Sequence, residues 1–390
     1  MASEDWSSYW SLAPGATYLN HGSFGPAPRP VIEAHHRWFK DLQQNPMEFF
    51  VRRLDFLLDE AAERLARFIG CRGKDLIFVP NSTVAMNIVA ESVELQPGDE
   101  VLLNDHEYGA VMRIWRRKCE AAGAETIISR LPQPMDSPDG IVEALFARVT
   151  DRTRLIVISH VTSPTATVLP VEEICRLARA RGVPVCVDGP HALAMRPLSL
   201  SELGCEFYCA SCHKWLSAPF GSGFLYVRGE RKSQLNPPIL SWGRSLSGRP
   251  AHWKDEFHWF GTYQPAAFLS IPAAIEFLER VGLERFREGT HALVRSARER
   301  LIEELDGEPL TADDIAWCGS MTTVRLPWVI QRSTHPGIPH PLQRSLAEEF
   351  RIEAPIVEWN DAVHIRVSCH LYNTPEHVDR LIDALMALRK

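Results

Sequence analysis

Between residues 76 and 227 short runs of branched and aromatic residues alternate with amphipathic stretches, and no other feature constrains the fold so tightly. Apolar runs at 76–80, 100–104, 126–129, 155–160 and 183–187 read as strands, and the stretches at 110–122, 142–149 and 171–181 read as helices. Strands that are apolar on both faces need cover from both sides. A chain alternating them with helices predicts a doubly wound α/β sheet. Helices are also predicted at 29–42 and 54–69. Between strand and helix, Asn81-Ser82-Thr83 supplies a serine or threonine cap and a helix N-terminus whose free N–H groups suit a phosphate.

At 390 residues the chain exceeds one ordinary core. After 265 the pattern changes to helices at 271–281, 283–305 and 376–389 around strands at 321–325 and 363–367. The predicted division is a large domain over 18–265 and a smaller α/β domain from 1–17 with 266–390. The segment 236–263 breaks the rhythm with Trp242, His258 and Trp259 among glycines and prolines, and irregular segments of that length in compact domains are often functional. A net charge of −7 argues against nucleic acid or an anionic membrane as partner. The opening Met-Ala-Ser-Glu-Asp-Trp lacks a basic and then apolar leader, and no run of about 18 apolar residues occurs, so a cytoplasmic protein is expected. Nine cysteines without small-domain spacing predict buried free thiols.

The chemistry centres on Phe207-Tyr-Cys-Ala-Ser-Cys-His-Lys214. A lysine delivered by an apolar strand can lose enough solvation to become a nucleophile near neutral pH, and its expected product is a Schiff base with a carbonyl. Asp188 ends another apolar run. A carboxylate there can keep a pyridine nitrogen protonated, which is the pyridoxal 5′-phosphate (PLP) arrangement. Cys209-Ala-Ser-Cys-His213 also matches a C-x-x-C-H haem signature, disfavoured by the absence of an export leader. Adding Cys205 gives a possible zinc set, disfavoured because Cys209 and Cys212 alternate across an extended strand. The pair His35-His36 and the loop with His335 and His340 read as solvated histidines.

Taken in order, Tyr18-Leu-Asn-His-Gly-Ser-Phe-Gly25, Val187-Asp-Gly-Pro-His191, Ser211-Cys-His-Lys214, Gly261-Thr-Tyr-Gln264 and Ile365-Arg-Val-Ser-Cys-His-Leu-Tyr-Asn373 resemble the class V aminotransferase superfamily, nearest its isopenicillin N epimerase-like branch, over roughly residues 15–385. The resemblance implies a PLP enzyme of fold type I with a large mixed sheet. It implies that Lys214 carries PLP, that Asp188 faces the pyridine nitrogen and that His191 faces the phenolic oxygen. Ser211, His213, Ser82 and Thr83 would contact the phosphate. Tyr108 would stack on the ring, with His106 as fallback. Thr262 would reach the phosphate of a neighbouring subunit, so a homodimer with shared active sites is expected; Gln264 stands where an acidic residue is common. Arg366 would hold the carboxylate of an amino-acid substrate. Asn20, His21, Trp242, His258 and Trp259 are pocket candidates.

Lys214 is the expected base for the α-proton. The motifs favour an epimerase, with a β-eliminating C–S lyase next and an aminotransferase or cysteine desulfurase after it. Desulfurase chemistry needs a reactive cysteine on a small-domain loop, and 351–364 contains none; Cys318 and Cys369 lie beside strands. A non-catalytic protein of this fold would be expected to lack Lys214 or Arg366.

Overall fold

A computed structural model describes residues 5–333 and 338–389. Its strands are β1 (Thr17–Tyr18), β2 (Leu76–Val79), β3 (Glu100–Asn104), β4 (Glu125–Ser129), β5 (Thr153–Ser159), β6 (Val185–Asp188), β7 (Phe207–Ser211), β8 (Gly223–Val227), β9 (Glu308–Pro309), β10 (Met321–Arg325), β11 (Ile352–Glu353), β12 (Ile356–Trp359) and β13 (Ala362–Ser368). Seven of them form one sheet in the order β2-β8-β7-β6-β5-β3-β4. The pairs from β4 through β7 are parallel, whereas β8 is antiparallel to both β7 and β2. The expected mixed, doubly wound sheet is therefore present. Connections leave β3 outward to β4 and return to β5 on its other side, so the strand order reverses between β3 and β5. In open α/β sheets the crevice outside the carboxyl ends at such a reversal is where ligands bind.

The helices of this part are α1 (Arg29–Gln44), α2 (Leu54–Ile69), α3 (Ser82–Ser92), α4 (Gly109–Ala122), α5 (Pro138–Phe146) and α6 (Val171–Ala180). Side chains alternate across the sheet with period two. Leu102, Ile156, Val187 and Tyr208 face a core shared with α2 and α6. Leu103, Val157, Cys186 and Cys209 face a second core with α3 and α4. Both faces are covered, and each fully buried aliphatic side chain contributes about 1.5–3 kcal/mol. Trp6, Trp10 and the helix Ile271–Val281 pack into the first of these cores. A third core joins β10 and β13 to the helices Leu283–Glu303 and Pro375–Leu388. Its sheet is antiparallel, in the order β12-β13-β10-β9.

Local chemistry moved some boundaries. Helix α5 begins at Pro138, earlier than the predicted 142, because Ser137 accepts a hydrogen bond from the Gly140 N–H and proline suits the first turn. The cap of α3 is Asn81, whose Oδ1 accepts from the Val84 N–H at 3.0 Å, and not Ser82 or Thr83. His340 is buried rather than solvated. It caps the helix Pro341–Phe350, with Nδ1 accepting from the Leu342 N–H and Nε2 2.8 Å from Gln331 O. His335 lies outside the described residues. The irregular segment 236–263 is tied to α2 by Ser247 Oγ, which donates to Asp55 Oδ2 at 3.0 Å, and by the Lys254–Asp59 ion pair.

All nine cysteines are free thiols, eight of them buried. No cluster of His, Cys, Asp or Glu able to hold a metal occurs among the described residues. None of the described helices is long and apolar enough to cross a membrane.

Candidate active site

A cavity of about 290 Å³ opens at the carboxyl ends of β3, β5, β6 and β7, lined in part by Asn81, Tyr108, Val161, Asp188, Ser211 and Lys214. A larger one of about 560 Å³ lies at the opposite ends of the strands, beside Thr153, Pro184 and Phe207. Its charged side chains, Glu94, Arg154 and Arg231, all reach solvent, and none of them is drawn out of water into the cavity. Chemistry therefore favours the smaller cavity.

Each wall is set by a strand end. β7 closes on Ser211 and the following turn delivers His213 and Lys214. The Lys214 carbonyl is held from two sides, by the Ser217 N–H at 2.7 Å and by His21 Nε2 at 3.0 Å. Gly25 permits this approach: a Cβ there would stand 2.4 Å from His213 O and 2.5 Å from His21 Nε2. Lys214 Nζ lies 2.9 Å from His191 Nε2. Burial, with Arg366 nearby and Asp188 opposing, lowers the lysine from its ordinary 10.5 to about 7. Burial likewise holds Asp188 above the usual carboxylate range, against the pull of Lys214. His191 is kept neutral by burial and by the neighbouring Lys214.

At the other end of the cavity stands the N-terminus of α3. The Ser82 N–H donates to Ser211 Oγ at 2.9 Å, and Ser211 Oγ lies 3.2 Å from Ser82 Oγ, which stitches the β7 end to the helix start. The side chains of Ser82, Thr83 and His213 also line this end. Burial lowers His213 to about 4.

Arg366, on β13, is buried behind the cavity wall. Its Nη1 donates to Ser163 O at 2.6 Å and Ser163 Oγ at 3.2 Å, and Nη2 donates to Ser23 Oγ at 2.5 Å and Asn20 Oδ1 at 3.4 Å. Ser23 and Ser163 line the cavity. The same sheet grips the loops after β3 and β5: Trp359 Nε1 donates to Asp105 O at 2.9 Å and Thr323 Oγ1 to Pro164 O at 3.2 Å.

Of the residues singled out in the sequence, Lys214, Asp188, His191, Ser211, His213, Ser82, Thr83 and Tyr108 surround one cavity. Arg366 and Asn20 meet it through Ser23. His106 does not line it; the ring is buried against Thr165 Oγ1 at 2.7 Å and Trp359. His21 lies beneath Lys214, stacked on His370 with centroids 3.9 Å apart. His258 accepts from the Phe78 N–H and Trp259 packs on Phe50. Trp242, 66% exposed, and Thr262, also exposed, stand away from this chain's own cavity. Sequence reasoning missed Ser23 and Ser163. Ser23 sat inside the Tyr18–Gly25 motif, and Ser163 follows the carboxyl end of β5, a position that could have marked it.

The residues fit PLP. His191 Nδ1 and His213 Nδ1 in the cavity, and Arg366 Nε behind its wall, are buried polar atoms with no hydrogen-bond partner among the described residues, and the cavity offers an amine, a carboxylate and a helix N-terminus. Lys214 would hold the aldehyde carbon, Asp188 the ring nitrogen, and Ser82, Thr83, Ser211 and His213 the phosphate.

The family model for class-V aminotransferases matches residues 17–329. The isopenicillin N epimerase of Amycolatopsis lactamdurans is 40% identical, over 97% of this chain and 97% of that protein. That of Streptomyces clavuligerus is 37% identical, over 100% of this chain and 99% of its own length. A solved C-DES variant with glycine linked to its PLP cofactor shares the fold at a TM-score of 0.81 and 22% identity, covering 95% of this chain and 96% of that one.

Proposed function

Because the chain belongs to the class-V aminotransferase family, we propose that it is an isopenicillin N epimerase-like enzyme that inverts the α-carbon of an amino acid or amino-acid-derived substrate. It is a PLP-dependent enzyme. PLP, when bound, withdraws electrons from the substrate α-carbon and lets its proton leave. The observation that carries the reading is the buried amine of Lys214, 2.9 Å from His191 and in one cavity with Asp188, in a chain alike over nearly its full length to two epimerases.

Lys214, lowered toward neutrality, takes or returns the α-proton. Asp188 would set its carboxylate against the protonated ring nitrogen of the bound cofactor. Arg366 fixes the substrate carboxylate, with Ser23 and Ser163 orienting the guanidinium. That grip sets which bond at the α-carbon is free to break.

We also infer a homodimer. Trp242 and Thr262 lie off their own cavity, in a segment that exposes Ile239 and Leu240, the latter at 83%. An exposed apolar patch of this kind marks an interface, and Thr262 is proposed to reach the partner's phosphate site. Nine free thiols suit the reducing cytoplasm.

Proton NMR in heavy water tests the reaction. The PLP-loaded enzyme is given isopenicillin N and a panel of L-amino acids, and the α-proton signal, configuration and any pyruvate are followed. Loss of the signal with growth of the inverted isomer is expected. Pyruvate and ammonia without inversion would replace the epimerase by a β-eliminating lyase.

A further inference from the structure

Inversion needs a proton removed on one side of the α-carbon and another delivered on the other. Lys214 serves one side only, since its carbonyl is pinned by Ser217 and His21 and its amine rests on His191. Something else must face it. We propose that Tyr108 is the second proton carrier, its hydroxyl exchanging a proton with the α-carbon across the cavity from Lys214; this rests on the epimerase reading.

Three observations carry the assignment. Tyr108 enters from the loop after β3, whereas Lys214 enters after β7; β6 and β5 lie between, and three strand spacings amount to roughly 14 Å at the sheet. The two residues thus occupy opposite walls. Next, the other proton-bearing groups of the lining stand elsewhere, Thr83 and His213 at the helix end proposed to hold the phosphate. Asp188 and His191 gather around Lys214, Ser211 is bonded to Ser82 at the helix end, and Ser23 and Ser163 are bonded to Arg366. The Tyr108 hydroxyl makes no hydrogen bond to any described residue, and the side chain is 49% exposed, so water can restore its proton. Last, Tyr108 is close enough to Arg366 to act on its charge, pulling against the burial that lowers the guanidinium. The carboxylate that Arg366 is proposed to hold is one bond from the α-carbon, so a phenol beside Arg366 lies on the α-carbon's side of the cavity.

The proton balance closes without a co-reactant. The neutral Lys214 amine accepts the α-proton as that C–H bond breaks, and the Tyr108 O–H bond breaks as the new C–H bond forms. Exchange with water then returns the ammonium to amine and the phenolate to phenol.

Wild-type and Y108F enzymes are compared with isopenicillin N in heavy water, scoring deuterium incorporation and configuration separately, while PLP uptake is titrated by absorbance. Y108F is expected to bind PLP as the wild type does and to exchange the α-proton with retention, while inversion falls about 10²-fold or more. Tyr108→His, which keeps a ring and a transferable proton, is expected to recover roughly tenfold of that loss. Inversion by Y108F within about fivefold of wild type, or a PLP-binding histidine variant that does not invert, overturns the assignment. A wild-type enzyme that never inverts its substrate removes the epimerase reading itself, and Tyr108's role with it, a result distinct from active wild type with active Y108F.

Discussion

Nζ of Lys214 lies 2.9 Å from Nε2 of His191, joining the turn after β7 to the turn after β6. His191 is buried and Lys214 partly so, and neither is charged without cost. Burial lowers the lysine to about 7, so its neutral, nucleophilic fraction grows as pH rises through that value. PLP uptake by the apoenzyme should therefore accelerate between about pH 6 and 8 and level off above. A half-point above about pH 9 would mean that the amine is solvated and that its environment has been misread.

Arg366→Lys keeps the charge and loses the planar fork that Ser23 and Ser163 orient. The expected result is a KM for the amino-acid substrate raised about 10–100-fold, roughly 1.4–2.7 kcal/mol, with PLP affinity unchanged. Steady-state kinetics with a PLP titration would decide, and a KM within about threefold of wild type would remove Arg366 from substrate binding.

Glu107, beside Tyr108, is buried among donors: the Ser159 N–H at 2.8 Å, Ser159 Oγ at 2.6 Å and the Asn104 amide. Burial outweighs them and holds the carboxyl up at about 8. A folded pKa above the ordinary 4.5 means that the folded state binds the extra proton. This contribution to stability is complete below 4.5 and is lost as pH rises through 8. Glu107→Gln mimics the protonated acid, so it should cost under about 1 kcal/mol at pH 7, whereas Glu107→Ala should cost about 1–3 kcal/mol by orphaning Ser159 and Asn104. Urea unfolding measures both, and equal losses for the two variants would count against a protonated Glu107.

The buried histidines act in the opposite direction. Burial keeps His21 and His191 far below 6.5, and lowers His106, His160, His258 and His370 to about 3. Unfolding frees them to bind protons, so the stability they hold above pH 6.5 is lost as pH falls below it, at up to about 1.4 kcal/mol per histidine per pH unit. Denaturant midpoints should drop steeply from pH 6.5 to 5. A flat profile over that interval would show that these rings are solvated.

The sequence by itself determined the strand and helix order, the large sheet, the cofactor and most of the cavity wall. Those features rest on local signals, because period-two and period-3.6 apolar patterns, caps and strand-end residues act within a few positions of one another. Lys214 and Asp188 were legible for that reason, since each ends or follows an apolar strand, whereas Ser211 and Tyr108 were legible through the resemblance of their motifs to a known family. Only the tertiary structure decided what depends on distant segments meeting. Ser23 and Ser163 matter because β13 carries Arg366 between them, across sequence separations of 343 and 203 residues. His21 looked like a pocket residue and instead supports the Lys214 backbone, since stacking on His370 turns its ring beneath the lysine. Burial, too, arises from the assembled cores, and burial is what moves Lys214 and Glu107 away from their ordinary titration ranges.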